Sequence, residues 1–138
     1  AKDDESIVFH GKKKREYMGQ YYQASDFLIV SLVDKPIFSV TVPAKTQTYI
    51  AAKKPILAII KGDTADIVSY NKLGICANPS KIISISEAFK SCITMSQKER
   101  DSFVINNDYL LKNIFNKNKI IDDLLNLLVG KKVEFTED

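Results

Sequence analysis

The sequence predicts an α/β protein in which a Rossmann-like parallel sheet is flanked by helices. Two observations carry that prediction. Short apolar runs alternate with amphipathic stretches over most of the chain, and the runs at 26–32 and 55–60 are apolar at nearly every position, as strands buried on both faces must be. With 138 residues and 45% hydrophobic content the chain can fill one core but not two, so one domain is expected.

Taken in order, "SIVFHG" (6–11) reads as a strand ended by Gly11, and "KREYMGQYYQAS" (14–25) as a helix that buries Tyr17, Tyr21 and Tyr22. "DFLIVSL" (26–32) is the next strand and 33–42 the loop after it. Residues 43–53 form a short helix. Pro43 suits its first position, where a missing N–H costs nothing, with Thr41 or Val42 as the N-cap. "PILAII" (55–60) is a strand, 63–73 a helix, "GICANP" (74–79) a short strand and 85–95 a helix, with Asp63 and Ser86 as N-caps. The tail at 97–130 is helical for most of its length. Its stripe of Ile120, Ile121, Leu124, Leu125 and Leu128 is expected to pack in a core or at a domain interface, with a partner-binding helix as the weaker alternative.

The net charge of +3 is too small to point to nucleic acid. Basic residues cluster at 11–16, at Lys53–Lys54 and near 116–119, where a solvated face is the plainer reading and contact with an acidic membrane surface the alternative. Two cysteines and one histidine, His10, make neither a disulfide framework nor a metal site, and suggest a reducing compartment. No apolar run reaches the roughly 18 to 20 residues of a membrane helix.

One stretch has the physical character of an anion site. In "VPAKTQTYIAAKKPILAII" (42–60) the proline opens a helix whose first residues, Ala44, Lys45 and Thr46, offer backbone N–H groups beside a cation. Ligands of open α/β sheets bind outside the carboxyl ends of the strands. On the predicted layout that rim gathers Gly11–Lys13, the loop 33–42, the turn at Pro43–Lys45, and Gly62–Asp63. His10 as a base, Asp26 as an acid and the tyrosines as stacking platforms are weaker readings than strand-end, capping and core roles.

These segments, "FHG", "YYQASD", "FSVTVPAKTQTYIAAKKPI", "GDT" and "LGIC", together resemble the carboxyl-terminal, nucleotide-sugar-binding domain of GT-B fold, family 4 retaining glycosyltransferases. The branch is that of bacterial capsule, O-antigen and colanic-acid polysaccharides, and the resemblance covers about residues 7–135. It implies that 1–138 is a partial domain, with 97–130 as a helical segment within it. A hexosyltransferase activity would follow, with a nucleotide-diphosphate sugar, most often a UDP-sugar, as donor and a lipid-linked or other saccharide as acceptor. The setting would be the cytoplasm, at the inner face of the cell membrane.

Residue by residue, the resemblance puts Gly11, Lys12 and Lys13 on the loop that meets the nucleotide, and Thr41, Val42, Pro43, Ala44 and Lys45 at the helix start that holds the diphosphate. Lys45 is the residue that neutralises the leaving group, Thr48 stands where many members have a ribose-binding glutamate, and Gly62–Asp63 opens a glycine-acid-glycine turn. Neither cofactor nor metal is implied. Ala44 replaces a serine, Lys53 and Thr64 replace glycines, and Val40 and Thr48 replace a pair of glutamates. Two strand–helix units and the acceptor-binding domain that precede this region in the family are not in these residues. The alternative is a non-catalytic nucleotide-binding fragment, inactive without the N-terminal domain, whose open sheet edge would let it self-associate, or another α/β binding module.

Overall fold

Three short apolar runs become the strands of one parallel sheet, β1 (Leu28–Ser31), β2 (Ile56–Ile59) and β3 (Gly74–Ala77), hydrogen-bonded in that order. The computed structural model of the chain describes residues 5–130. Leu28 pairs with Ile56 and Ile56 with Gly74, so the register puts like faces together.

Alternation along each strand builds two cores. Leu28, Val30, Ile56, Ala58 and Ile60 point to one face, where Tyr49, Ile50, Val68 and Leu110 cover them. Leu57 and Ala77 point to the other and meet Ala88 and Cys92. The helices are those whose buried residues fall three and four apart. Helix α3 (Ala44–Ala51) buries Thr46, Tyr49 and Ile50, and α4 (Asp63–Tyr70) buries Thr64 and Val68. Both are crossover helices on the first face, as successive same-handed parallel connections require. Helix α5 (Ile82–Thr94) follows β3 and covers the second face over β2 and β3 through Ala88 and Cys92. Helix α1 (Met18–Ala24) leans on the first face, with the ring of Tyr22 edge-on to Tyr49 at 5.6 Å.

The class and the flanked parallel sheet are as expected, whereas several local expectations need correction. Residues 6–11 form no strand. A strand exists where it finds an edge to pair with, and Ile7, Val8 and Phe9 remain exposed beside Gly11. The 14–25 helix begins as a 3-10 turn at Arg15–Tyr17, and Tyr17 is exposed. The loop 33–42 contains a one-turn helix, α2 (Pro36–Ser39), with proline at its first position. Pro43 is itself the N-cap of α3, with φ −60° and ψ 138°, so the helix starts one residue later than predicted. Gly62, at φ 77°, is the N-cap of α4 in place of Asp63, and Ser86 lies inside α5, whose N-cap is Lys81.

The tail is three helices, α6 (Gln97–Ser102), α7 (Asn107–Asn113) and α8 (Lys117–Leu128). Ser96 and Glu99 form a reciprocal capping box on α6, and Asn116 caps α8 through the N–H groups of Asn118 and Lys119. Helix α7 joins the first core through Leu110. Helix α8 contradicts the core reading of its stripe. Its Ile120, Ile121, Leu124 and Leu125 are exposed, and only the polar Asp123 and Asn126 are half-buried.

Candidate functional site

The sheet's carboxyl end carries one loop after each strand, and the candidate anion site lies on the first of them. Helix α3 opens there without a side-chain cap and without an acidic residue in its first turn. The Thr46 N–H turns back onto the Pro43 carbonyl at 2.9 Å, which leaves the N–H groups of Ala44 and Lys45 outside the helix's own hydrogen bonding. Lys45 is exposed and forms no ion pair among the described residues. Helix α4 offers no comparable end, because Asp63 and Asp66 already occupy its first turn and offset the positive dipole.

The approach to α3 is fixed by backbone contacts. Thr41 donates through Oγ1 to the Ile37 carbonyl at 2.7 Å, and its own carbonyl accepts from the buried Thr64 hydroxyl at 3.0 Å. Gly62 packs so closely on Ser39 that a Cβ there would stand 1.9 Å from the Ser39 carbonyl oxygen. The structure therefore brings Thr41, Val42, Pro43, Ala44 and Lys45 together with Gly62 and Asp63. Thr48 lies one turn further along α3, exposed, its hydroxyl donating to the Ala44 carbonyl at 3.1 Å.

Gly11, Lys12 and Lys13 are not assembled with them in the way the sequence suggests. They lie on an exposed segment that follows no strand, and among the described residues no hydrogen bond or ion pair ties them to α3. His10 packs against Tyr21 with the ring centroids 5.0 Å apart and the planes tilted at 60°, which gives it a packing partner. Asp26 sits at the opposite end of the sheet, 3.9 Å from Arg100 Nε.

Three rim residues escaped the sequence reading. Asp34, Lys61 and Ser80 follow β1, β2 and β3 in turn, and Asp34 Oδ2 accepts from Lys61 Nζ at 2.5 Å and from the Ser80 hydroxyl. Hydrogen bonds from Lys61 and then Ser80 hold the Asp34 carboxyl below the usual carboxylate range. Their common signal is position, each lying two or three residues past a strand end. A recess of about 450 Å³ beside them is lined by Ser31, Leu32, Val33, Phe38, Ile59 and Pro79. A second groove, of about 360 Å³, runs along the other sheet face between β1 and α5, between Phe27, Ile29, Leu57, Phe89 and Ile93.

Among the described residues no group of three His, Cys, Asp or Glu side chains is placed to hold a metal ion. No helix among them is long and apolar enough to cross a membrane. Cys92 is buried and Cys76 donates to the Ala65 carbonyl at 3.5 Å, and burial pushes both thiols above their ordinary range. Comparison of the chain with protein-family models, with curated proteins and with solved structures found no match.

Proposed function

We propose that the chain binds the diphosphate of a nucleotide sugar at the N-terminus of α3, as the donor-binding part of a GT-B, family 4 retaining glycosyltransferase of surface-polysaccharide synthesis. One observation carries the reading: α3 is uncapped, free of acid in its first turn, and opens at the carboxyl end of a parallel sheet beside Lys45, which has no ion-pair partner among the described residues.

Transfer breaks the bond between the sugar's anomeric carbon and a diphosphate oxygen, and forms a bond from that carbon to an acceptor hydroxyl, whose proton is released. The diphosphate gathers negative charge as it leaves. The N–H groups of Ala44 and Lys45 and the Lys45 ammonium offset that charge without having to reorganise, which is where fixed dipoles help a reaction most. Lys45 is the proposed catalytic residue. Thr48 faces the ribose, and Gly62 lets the second loop approach closely. This chemistry asks nothing of a metal. The donor is a UDP-sugar and the acceptor a lipid-linked or other saccharide. A further acceptor-binding domain completes the enzyme at the inner membrane face.

A second reading, a nucleotide-binding module without transfer activity, is favoured by the open groove between β1 and α5, which suits a chain that relies on a covering partner. Calorimetric titration with UDP tests the shared claim. Saturable binding that weakens by about 1 to 3 kcal/mol in Lys45→Ala, the worth of a charge-assisted contact, supports the site, and equal binding by both proteins removes Lys45 from it. Release of UDP from a UDP-sugar in the presence of acceptor separates the enzyme from the module.

A further inference from the structure

Asp34 holds together loops that leave three different strands. Its Oδ2 accepts from Lys61 Nζ and from the Ser80 hydroxyl. Ser80 is itself held in place, because its N–H donates to Asn78 Oδ1 at 3.0 Å while the Asn78 N–H donates to Ser84 Oγ at 3.0 Å. The β3 loop therefore offers Asp34 a fixed hydroxyl, and the β2 loop a cation.

What Asp34 anchors is the segment that leads to α3. From Asp34 the chain passes through α2 to Pro43 with no side-chain cap to aim the helix. Contacts further along, Ser39 against Gly62 and Thr41 against Thr64, fix its far end against the β2 loop, and Asp34 fixes its near end. A carboxylate free on this rim would also repel an arriving anion, whereas here Lys61 neutralises it.

We propose that Asp34 is a positioning residue: through Lys61 and Ser80 it sets the direction in which the α3 N-terminus and Lys45 meet the diphosphate. This rests on the reading of α3 as the anion site. Asp34 itself touches no ligand. It acts by removing the freedom of the loop that would otherwise have to be ordered on binding.

The test measures UDP affinity, thermal melting and amide hydrogen exchange over residues 36–46 in wild type, Asp34→Ala, Asp34→Glu, Lys61→Ala and the Asp34→Ala/Lys61→Ala double variant. Expected are a roughly tenfold weaker affinity for Asp34→Ala, the scale of one mobile group ordered on binding, and faster exchange over the segment. The melting temperature should scarcely move, since the pair is exposed. Lys61→Ala should weaken binding in the same direction, the double variant should be no weaker than Asp34→Ala, and Asp34→Glu should recover part of the loss. Wild-type affinity in Asp34→Ala overturns the proposal, as does a loss that tracks unfolding and that glutamate does not rescue. Failure of the site reading shows itself separately, as a wild-type chain that binds no UDP. The exchange comparison then decides whether Asp34 orders the loop, equal rates overturning that as well.

Discussion

Gly62 lies against Ser39 backbone to backbone, with no room for a side chain between them: an added Cβ would stand 1.9 Å from the Ser39 carbonyl oxygen and 2.5 Å from its Cα. The position also has φ 77°, where an L side chain is strained. Gly62→Ala must therefore push the α2 loop off the β2 loop. A loss of roughly 3 kcal/mol or more is expected in urea unfolding followed by circular dichroism. Gly11 is the control, since it has a similar φ of 65° but nothing within 4 Å. Gly11→Ala should cost no more than about 1 kcal/mol.

Asn107 is buried where α7 meets α3, and its Nδ2 donates to the Ile50 carbonyl at 2.9 Å while its Oδ1 finds no partner. Ile50 also accepts from the Lys53 N–H at 3.0 Å, so losing the amide does not strip that carbonyl. Asn107→Ala should cost about 2 kcal/mol, mainly through the space it opens and the hydrogen bond it removes. Asn107→Leu should cost clearly less, because it keeps the branched shape, leaves no space empty and removes the unpaired acceptor. Denaturation midpoints of the two variants check the order.

Asp34, Asp108 and Glu99 each have a carboxyl held below its ordinary range, by hydrogen bonds from Lys61, Lys53 and Ser96 respectively as the largest cause. A depressed native pKa means that the unfolded chain takes up protons first on acidification. The stability these groups contribute is then present above the ordinary carboxylate pKa of about 4 and lost as pH falls through the native values. The unfolding midpoint should fall on acidification below about pH 4. An Asp34→Asn/Glu99→Gln/Asp108→Asn variant should show a flatter dependence in that window.

Lys53 and Lys72 both adopt left-handed backbone, at φ 52° and 53°, a region that costs a side chain roughly 1 to 2 kcal/mol. Lys72→Gly should raise stability by about 0.5 to 1 kcal/mol, the strain relief less the extra freedom glycine gives the unfolded chain. Lys53→Gly should gain less, since it also removes the Lys53–Asp108 ion pair of 2.8 Å. Thermal melts of the two variants should rank them in that order.

What could be read from the sequence depended on how local the cause was. The runs that became β1, β2 and β3 declare themselves as short, mainly apolar runs, although only β2 is buried on both faces, Ile29 and Ser31 of β1 and Cys76 of β3 being exposed; α3 to α5 are legible because their buried residues recur at helical spacing. Ile7–His10 has the same apolar character, but a strand needs an edge as well as a propensity, and no local pattern reports the edge. Pro43 reads in the sequence as the first helical residue and is in fact the N-cap, because its ring sets φ near −60° on either side of a helix boundary and only ψ tells the two positions apart. The rim carboxylate and its partners were out of reach for another reason: Asp34 and Ser80 are 46 positions apart and nothing in either segment refers to the other. The α3 start, in contrast, was legible as chemistry because proline, small residues and a lysine lie side by side in the chain.

The sheet's strand order also bears on how quickly the chain can find its fold. Each strand pairs with the one made just before it, so no segment has to wait for a distant one, and every crossover closes over its own helix. The loop from Ile56 to Gly74 is about ten residues shorter than that from Leu28 to Ile56. Its closure is entropically cheaper by about 0.4 kcal/mol, a twofold preference for assembling β2, α4 and β3 first. Ile56 stands at the junction, paired on both sides, so truncating it should slow refolding, whereas truncating Leu28 should mainly hasten unfolding.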